Sequence, residues 1–278
     1  MSELGEVQGK TFLITGGASG LGAGYVESFL KDGAKSVAIL DINEQAGKPL
    51  VEKLNKVYPG KVIFIKCDVS NEENVTQAFN EVVDKFKTVD VLINNAGIMN
   101  DSSNIWRKAT EVNVLGLVSL TLKGIKHMNK EEGGKGGTII NVSSIAGFMK
   151  NFNFLPIYAG SKAAVLHFTH NIAPTLTEDS GMRVMTICYG ATDTPLLHNM
   201  DKIAYDQKFG EIILNSRSEH YIQKAESAIN GLVDTFKQGS HKSVWLVTDD
   251  KPVQDITQII NNAYEMVQKA IYPSMPFN

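Results

Sequence analysis

The sequence predicts one α/β domain built on a doubly wound parallel sheet of about seven strands with helices on both faces. Three observations carry that expectation. Short apolar runs of strand formers alternate with amphipathic helical stretches along all 278 residues, with no repeat, low-complexity block or linker between them. The first strand runs into a glycine turn that opens a helix. The polar residues with chemical use then fall at the carboxyl ends of strands, where ligands of open α/β sheets gather. With 43% hydrophobic and 21% charged residues the chain can bury a single large core, so residues 1–278 are taken as one domain.

Taken in order, Thr11 to Thr15 is the first strand, and Gly16, Gly20 and Gly22 lead into a helix from Leu21 to Lys31. First-turn amides lack intrahelical partners, the helix dipole adds partial positive charge, and absent Cβ atoms admit a phosphate close to the backbone. A glycine triplet alone is weak evidence, because many strands end in glycine for conformational reasons. Here a second strand, Ser36 to Leu40, ends in Asp41, where an acid that binds ribose belongs. The pair reads as a dinucleotide site. No Gly-Lys-Ser/Thr follows, which excludes a P-loop, while this stretch alone leaves open a methyltransferase-type glycine loop.

Asn43 can cap a helix to about Tyr58, weakened by Gly47 and Pro49. Val62 to Cys67 is the third strand and delivers Asp68-Val69, and Ser70 or Asn71 caps a helix through about Phe86. Asp90 to Ile93 runs into Asn94-Asn95-Ala96-Gly97, a turn whose amides could brace neighbouring strand ends. A long helix from about Trp106 to Met128 contains Asn113, and a solvated connector, Glu131 to Gly137, leads to a fifth strand, Thr138 to Ser144. Tyr158-Ala-Gly-Ser-Lys162 starts the next helix with Tyr158 and Lys162 on one face; Pro174 should shorten it. Arg183 to Cys188 is the sixth strand. A helix near Glu219 to Lys237, a strand from Val244 to Val247 and a helix from about Val253 to Ala270 complete the chain.

A net charge of −3 provides no electrostatic footprint for nucleic acid or an anionic membrane surface, so neither is an expected partner. There is no apolar N-terminal leader and no apolar run of about 18 residues, and the default expectation is a soluble, cytoplasmic protein. Cys67 and Cys188 fall in buried strands and read as reduced core thiols. No metal is expected: His167 and His170 share a helix face without a third ligand, and His198 stands alone in an irregular stretch.

A Tyr-x-x-x-Lys pair is common on helix faces, but here it shares a sheet edge with Ser144 and the glycine turn. Thr15-Gly16-Gly17-Ala18-Ser19-Gly20-Leu21-Gly22, Asp68-Val69, Asn94-Asn95-Ala96-Gly97, Asn113, Ser144 and Tyr158-x-x-x-Lys162 together resemble the short-chain dehydrogenase/reductase family over residues 8 to about 195. Within it the chain looks most like the 15-hydroxyprostaglandin dehydrogenase and insect-type alcohol dehydrogenase branch, and Trp106 and Asn-Val-Ser-Ser-Ile-Ala-Gly support this. The last eighty or so residues match weakly.

The resemblance implies a Rossmann-type domain binding NAD, with residues about 190–240 as the substrate-side segment and 253–278 as a C-terminal helix and tail. It implies a Tyr158 phenolate as base, its pKa lowered by Lys162, which also holds the nicotinamide ribose. Ser144 would bond the substrate oxygen, and Asn113 would hold a water that relays the proton. Cofactor contacts would come from Gly16, Ser19, Gly20, Leu21, Gly22, Asp41, Ile42, Asp68, Val69, Asn95, Ala96, Gly97, Tyr158, Lys162, Tyr189, Gly190, Thr192 and Thr194, with Asp68 on the adenine amine, Asn95 beside the adenine ribose and the two threonines on the carboxamide. Two departures stand out. Tyr189-Gly190 replaces the family's Pro-Gly, so Tyr189 is expected to line the nicotinamide pocket. The family pattern also places the serine one residue nearer the tyrosine than Ser144 stands to Tyr158.

Asp41, with no basic residue at Ser19 or Ile42, favours NAD over NADP. Phe148, Met149, Phe152, Phe154, Leu155, Leu196, Leu197 and Met200 flank the reacting centre, which suggests an apolar cleft and a lipid-like secondary or long primary alcohol as substrate. The family likeness favours a homodimer or homotetramer. The competing expectation is an NAD(H)-binding carrier or redox-sensing protein with little turnover.

Overall fold

The computed structural model describes residues 5–197, 203–206, 208 and 222–272. His198, Met200, Glu219 and the tail from 273 lie outside the described residues. Strands β1 (Thr11–Thr15), β2 (Ser36–Asp41), β3 (Val62–Lys66), β4 (Val91–Asn94), β5 (Gly137–Ser144), β6 (Met182–Tyr189), β7 (Val244–Val247) and β8 (Gln254–Asp255) form one sheet in the order β3-β2-β1-β4-β5-β6-β7-β8. Every pairing is parallel except β7 with β8. Parallel pairing requires crossovers, which α1 (Gly20–Lys31), α2 (Glu44–Val57), α3 (Glu72–Phe86), α4 (Trp106–Thr110), α5 (Leu117–Met128), α6 (Pro156–Ile172) and α7 (Ala225–Gln238) supply. The strand order reverses between β1 and β4, which opens a crevice at their carboxyl ends.

Strand alternation sorts the core into two layers. Phe12 and Ile14 face one layer, where Phe12 stacks on Phe29 of α1 at 4.2 Å and meets Phe236 of α7 edge-on at 5.4 Å. Leu13 faces the other, with Val75, Phe79 and Val82 of α3 and Leu120 of α5. The clamp of α1 and α7 on β1 fixes the helix whose N-terminus reaches the crevice.

The eighth strand was not expected. Gln254–Asp255 pairs along β7 where a helix beginning at Val253 was predicted, and the final helix, α8 (Thr257–Ile271), starts only afterwards. Asp255 accounts for the break, since its Oδ1 accepts the Thr257 N–H at 2.8 Å and turns the chain from strand to helix. Elsewhere, Asn43 and Asn71 cap α2 and α3 as predicted, and α2 continues through Pro49. α6 stops at Ile172, just before Pro174. The long helix around Asn113 is divided: α4 and α5 are joined by a π-helical segment, Glu111–Gly116, that contains Asn113. Among the described residues no helix is long and apolar enough to cross a membrane.

Candidate active site

Two adjoining hollows occupy the crevice. The first, about 450 Å³, is lined by Gly16, Ser19, Gly20, Leu21, Gly22, Asp41, Ile42, Cys67, Asp68, Val69, Asn95, Ala96, Gly97 and Lys108, among others. Ser19 precedes α1 without a side-chain cap, so the first-turn amides remain available. Gly20 has φ +52°, and a Cβ there would point into open space, while a Cβ at Gly22 would overlap the Gly16 carbonyl. An uncapped helix start and a bare backbone facing a hollow fit a pyrophosphate. Asp41 does more than close the second strand: its Oδ2 accepts the Ala18 N–H at 3.0 Å and its Oδ1 the Asn43 N–H at 2.9 Å, so the acid also shapes the glycine turn. Asn95 braces the same turn, donating Nδ2 to the Thr15 carbonyl at 3.0 Å.

Asp68 is already held. Ser70 donates to its Oδ1 through both N–H and hydroxyl, and Lys108 lies 2.7 Å from its Oδ2, keeping the carboxyl below its usual range against the opposing effect of burial. Lys108, unnoticed in the sequence because it sits forty positions from its partner, stands in the same hollow.

The second hollow, about 230 Å³, is mostly apolar and is lined by Met149, Phe152, Phe154, Leu155, Leu196, Leu197, Met99 and Ile222, with Ser144, Tyr158 and Lys162 on its polar side. Of the apolar residues expected there, Phe148 instead faces solvent. Leu21, Asn95, Gly97, Thr194 and Leu196 border both hollows, so the Tyr158 side of one opens toward the glycine turn of the other.

The Ser144 hydroxyl lies close enough to the Tyr158 hydroxyl to favour its ionised form. Ser144 Oγ also donates to the Tyr189 carbonyl at 3.2 Å and accepts the Ala146 N–H at 3.2 Å. Ser143 turns the other way, donating to the Lys162 carbonyl at 2.8 Å, as strand alternation predicts. Lys162 Nζ donates to the Val142 carbonyl at 3.0 Å and lies 5.8 Å from the centre of the Tyr158 ring. Burial pushes the Tyr158 phenol up to about 12 against the Ser144 hydrogen bond, and burial pushes Lys162 down to about 8. With these side chains alone the phenol therefore stands above its ordinary value, because dehydration dominates; the expected lowering by Lys162 is tied to the positive ring of a bound cofactor as well.

Three further expectations change. Asn113 donates Nδ2 to the Ile98 carbonyl (2.8 Å) and to Ser161 Oγ (3.0 Å), and accepts the Ile98 N–H (2.7 Å), so both its donors are committed to protein rather than to a water. Tyr189 borders the apolar hollow, but its hydroxyl is turned away into the core. Its hydroxyl accepts from Tyr25 at 2.9 Å and donates to the Ala228 carbonyl at 3.2 Å within the core, and the site meets its carbonyl instead. Thr192 donates to the Gly190 carbonyl and accepts Gln223 Nε2, both at 2.9 Å, which leaves Thr194 the freer hydroxyl. Gly190 sits tight against Thr248. Tyr25, Ser161, Gln223 and Asp101, all buried polar partners of site residues, carried no motif; only Ser161, beside Lys162, had a local signal.

A short chain dehydrogenase family model matches residues 10–203. The chain belongs to that family. It is 39% identical over 198 residues to the NAD(+) 15-hydroxyprostaglandin dehydrogenase of Bos taurus, covering 70% of this chain and 73% of that protein. It is 31% identical to alcohol dehydrogenase 1 of Ceratitis cosyra, covering 84% and 94%. A short-chain dehydrogenase/reductase from Mycobacterium marinum superposes with TM-score 0.74 at 22% identity, covering 88% and 96%, which is a likeness of fold. As a family member the chain is an oxidoreductase with a Rossmann-like sheet.

The buried ammonium has a measurable consequence. Between about 8 and 10.5 the unfolded chain holds the Lys162 proton and the folded chain has released it, so this residue adds stability as pH rises through that window. In melts of the wild type and Lys162→Met, the difference should move toward the wild type by up to about 3 kcal/mol across the window. A pH-independent difference would mean that Lys162 stays fully charged in the fold.

Proposed function

We propose that this enzyme oxidises an apolar, lipid-like alcohol, secondary or long primary, to its ketone or aldehyde with NAD, using Tyr158 as the base. The observation that carries the reading is the junction itself: Ser144, Tyr158 and Lys162 stand where an apolar hollow meets a glycine-turn hollow that bears an acid. The relatives named NAD(+) 15-hydroxyprostaglandin dehydrogenase and alcohol dehydrogenase support both halves.

NAD would be held by the first-turn amides of α1, by Asp41 at the adenosine ribose, by Asn95 and by Thr194, and when bound it supplies the hydride acceptor and a positively charged ring. The chain's own groups do the rest. The apolar walls place the alcohol and exclude water, and the Ser144 hydroxyl exchanges the Tyr189 carbonyl for the substrate oxygen. Tyr158 first loses its own proton to solvent, a loss that Lys162, charged at neutral pH, favours once positive charge accumulates at the site, and the phenolate oxygen then takes the alcohol proton and becomes the phenol again. Asn113 ties the Ile98 backbone, in the loop after β4, to Ser161 of α6. A homodimer or homotetramer is part of the proposal, since α8 buries no residue and leaves Ile259, Met266, Val267 and Ile271 in solvent.

Cofactor choice follows from Asp41, whose charge would repel a 2′-phosphate by up to about 4 kcal/mol at close range before screening. kcat/KM with NAD should exceed that with NADP at least tenfold (roughly 1.4 kcal/mol of the repulsion surviving solvent), and Asp41→Ser should narrow the gap. Parity in the wild type would remove Asp41 from the role.

Tyr158→Phe should lower turnover by at least about a hundredfold while NADH binding, read by fluorescence, survives. Ser144→Ala should be severe. Ser143→Ala, which loses one buried hydrogen bond to the Lys162 carbonyl, should cost about 1 kcal/mol of stability and little turnover. Equal losses from the two serines would mean the wrong one has been assigned to the substrate.

The decisive assay is NAD reduction across primary and secondary alcohols of two to about fifteen carbons, because each buried methylene contributes up to about 0.8 kcal/mol. Ethanol should be poor, and three or four further carbons should raise kcat/KM by about a hundredfold. A flat or falling series would point to a small polar alcohol, and no turnover with any alcohol would favour the carrier reading.

A further inference from the structure

We infer that Asp101 is a positioning residue for Tyr158: from a loop remote in sequence its carboxylate caps the helix that bears the phenol and fixes where the hydroxyl stands. This rests on the reading of Tyr158 as the base. α6 begins without a local cap. Leu155 occupies the N-cap position with no side-chain hydrogen bond, and Pro156 brings no N–H. The next two amides go to one side chain: Ile157 N–H donates to Asp101 Oδ2 at 2.6 Å, and the N–H of Tyr158 itself donates to Oδ1 at 2.9 Å.

A serine or aspartate at position 155 would cap the helix more simply. That position is instead given to a fully buried leucine lining the apolar hollow, so the capping oxygen must come from elsewhere. Asp101 is 1% exposed, and a carboxylate so dehydrated is tolerated only where donors and the positive end of a helix hold it. Burial pushes its pKa up while the two amides oppose the rise. The same residue donates its own N–H to the Ile203 carbonyl at 2.6 Å. Ile203 packs with Met99, Ala146, Leu155 and Tyr158. One residue therefore ties the loop after β4, the start of α6 and the apolar wall beside the phenol, so a shift of Asp101 moves the phenol relative to Ser144.

The test compares wild type, Asp101→Ala, Asp101→Asn and Tyr158→Phe, with 2-decanol and 2-decanol deuterated at the carbinol carbon as probes. Asp101→Ala should lower kcat at least about tenfold while the NADH dissociation constant changes by less than about twofold. The deuterium effect on kcat should rise, because a displaced base slows chemistry and not product release. Asp101→Asn keeps the shape and one acceptor and should fall between, which also covers a poorly folding alanine variant. Asp101 variants with unchanged kcat and isotope effect but a lower melting temperature would reduce Asp101 to a structural cap. A kcat loss matched by an equal loss of NADH-binding sites would overturn the proposal in the same way. Turnover surviving in Tyr158→Phe would overturn the base assignment instead, and is read separately.

Discussion

Much of this structure follows from keeping a phenol and an ammonium out of water at the same edge of the sheet. Among the described residues neither Tyr158 nor Lys162 has a carboxylate partner; burial makes the phenol harder to ionise and the ammonium easier to discharge. What holds the pair is neutral: a backbone carbonyl under Lys162 Nζ, a serine on the Tyr158 hydroxyl, and a second serine on the Lys162 carbonyl. At neutral pH such a site holds a neutral phenol beside a charged ammonium, and on the proposed reading it gains its base only when further positive charge arrives. On that reading the base acts only in the loaded complex, since a phenol near 12 is almost wholly protonated at neutral pH.

The sheet supplies the precision. Asn94 donates to Asn141, and Asn141 to Thr169 of α6, so a buried chain of amides and a hydroxyl locks β4, β5 and α6 in one register. Ser161, on the same helix, accepts from Asn113 in the π-helical segment. The widened turn there brings Asn113 against the Ile98 backbone, which immediately follows the Asn-Asn-Ala-Gly turn bracing the glycine loop. The turn that braces the glycine loop and α6 are thus linked by buried hydrogen bonds across the carboxyl edge.

How much of this was legible depended on distance along the chain. Gly20, Gly22 and Asp41 were readable because a strand, a turn and a helix state their purpose within a few residues. Ser144 against Ser143 was readable because strand alternation is strict. Asp101 and Lys108 were not, since each acts on a partner forty or more positions away and looks like an ordinary loop or surface residue in sequence. β8 was missed because two residues cannot show a period, and the amphipathic pattern of α8 extends back over them. The net rise of the Tyr158 pKa was not legible for a different reason: sequence spacing gives proximity to Lys162, but only the fold shows how far the phenol is dehydrated.

Tyr189 shows how a departure from a family pattern can be absorbed. Proline at that place would restrain the backbone after β6 through its ring. Here a tyrosine leaves φ free but sends its ring into the core beneath the sheet, where its hydroxyl accepts from Tyr25 of α1 and donates to the Ala228 carbonyl of α7. The end of β6 is thereby anchored to the two helices that clamp β1, one of which presents the glycine turn. A local torsional restraint has been replaced by a tertiary one, with the Tyr189 carbonyl still facing Ser144. Both hydroxyls are buried and their pKa values are pushed well up, so neither phenol ionises near neutral pH to break the chain. The position of Ser144 therefore rests in part on a residue whose hydroxyl is anchored in the core, between α1 and α7.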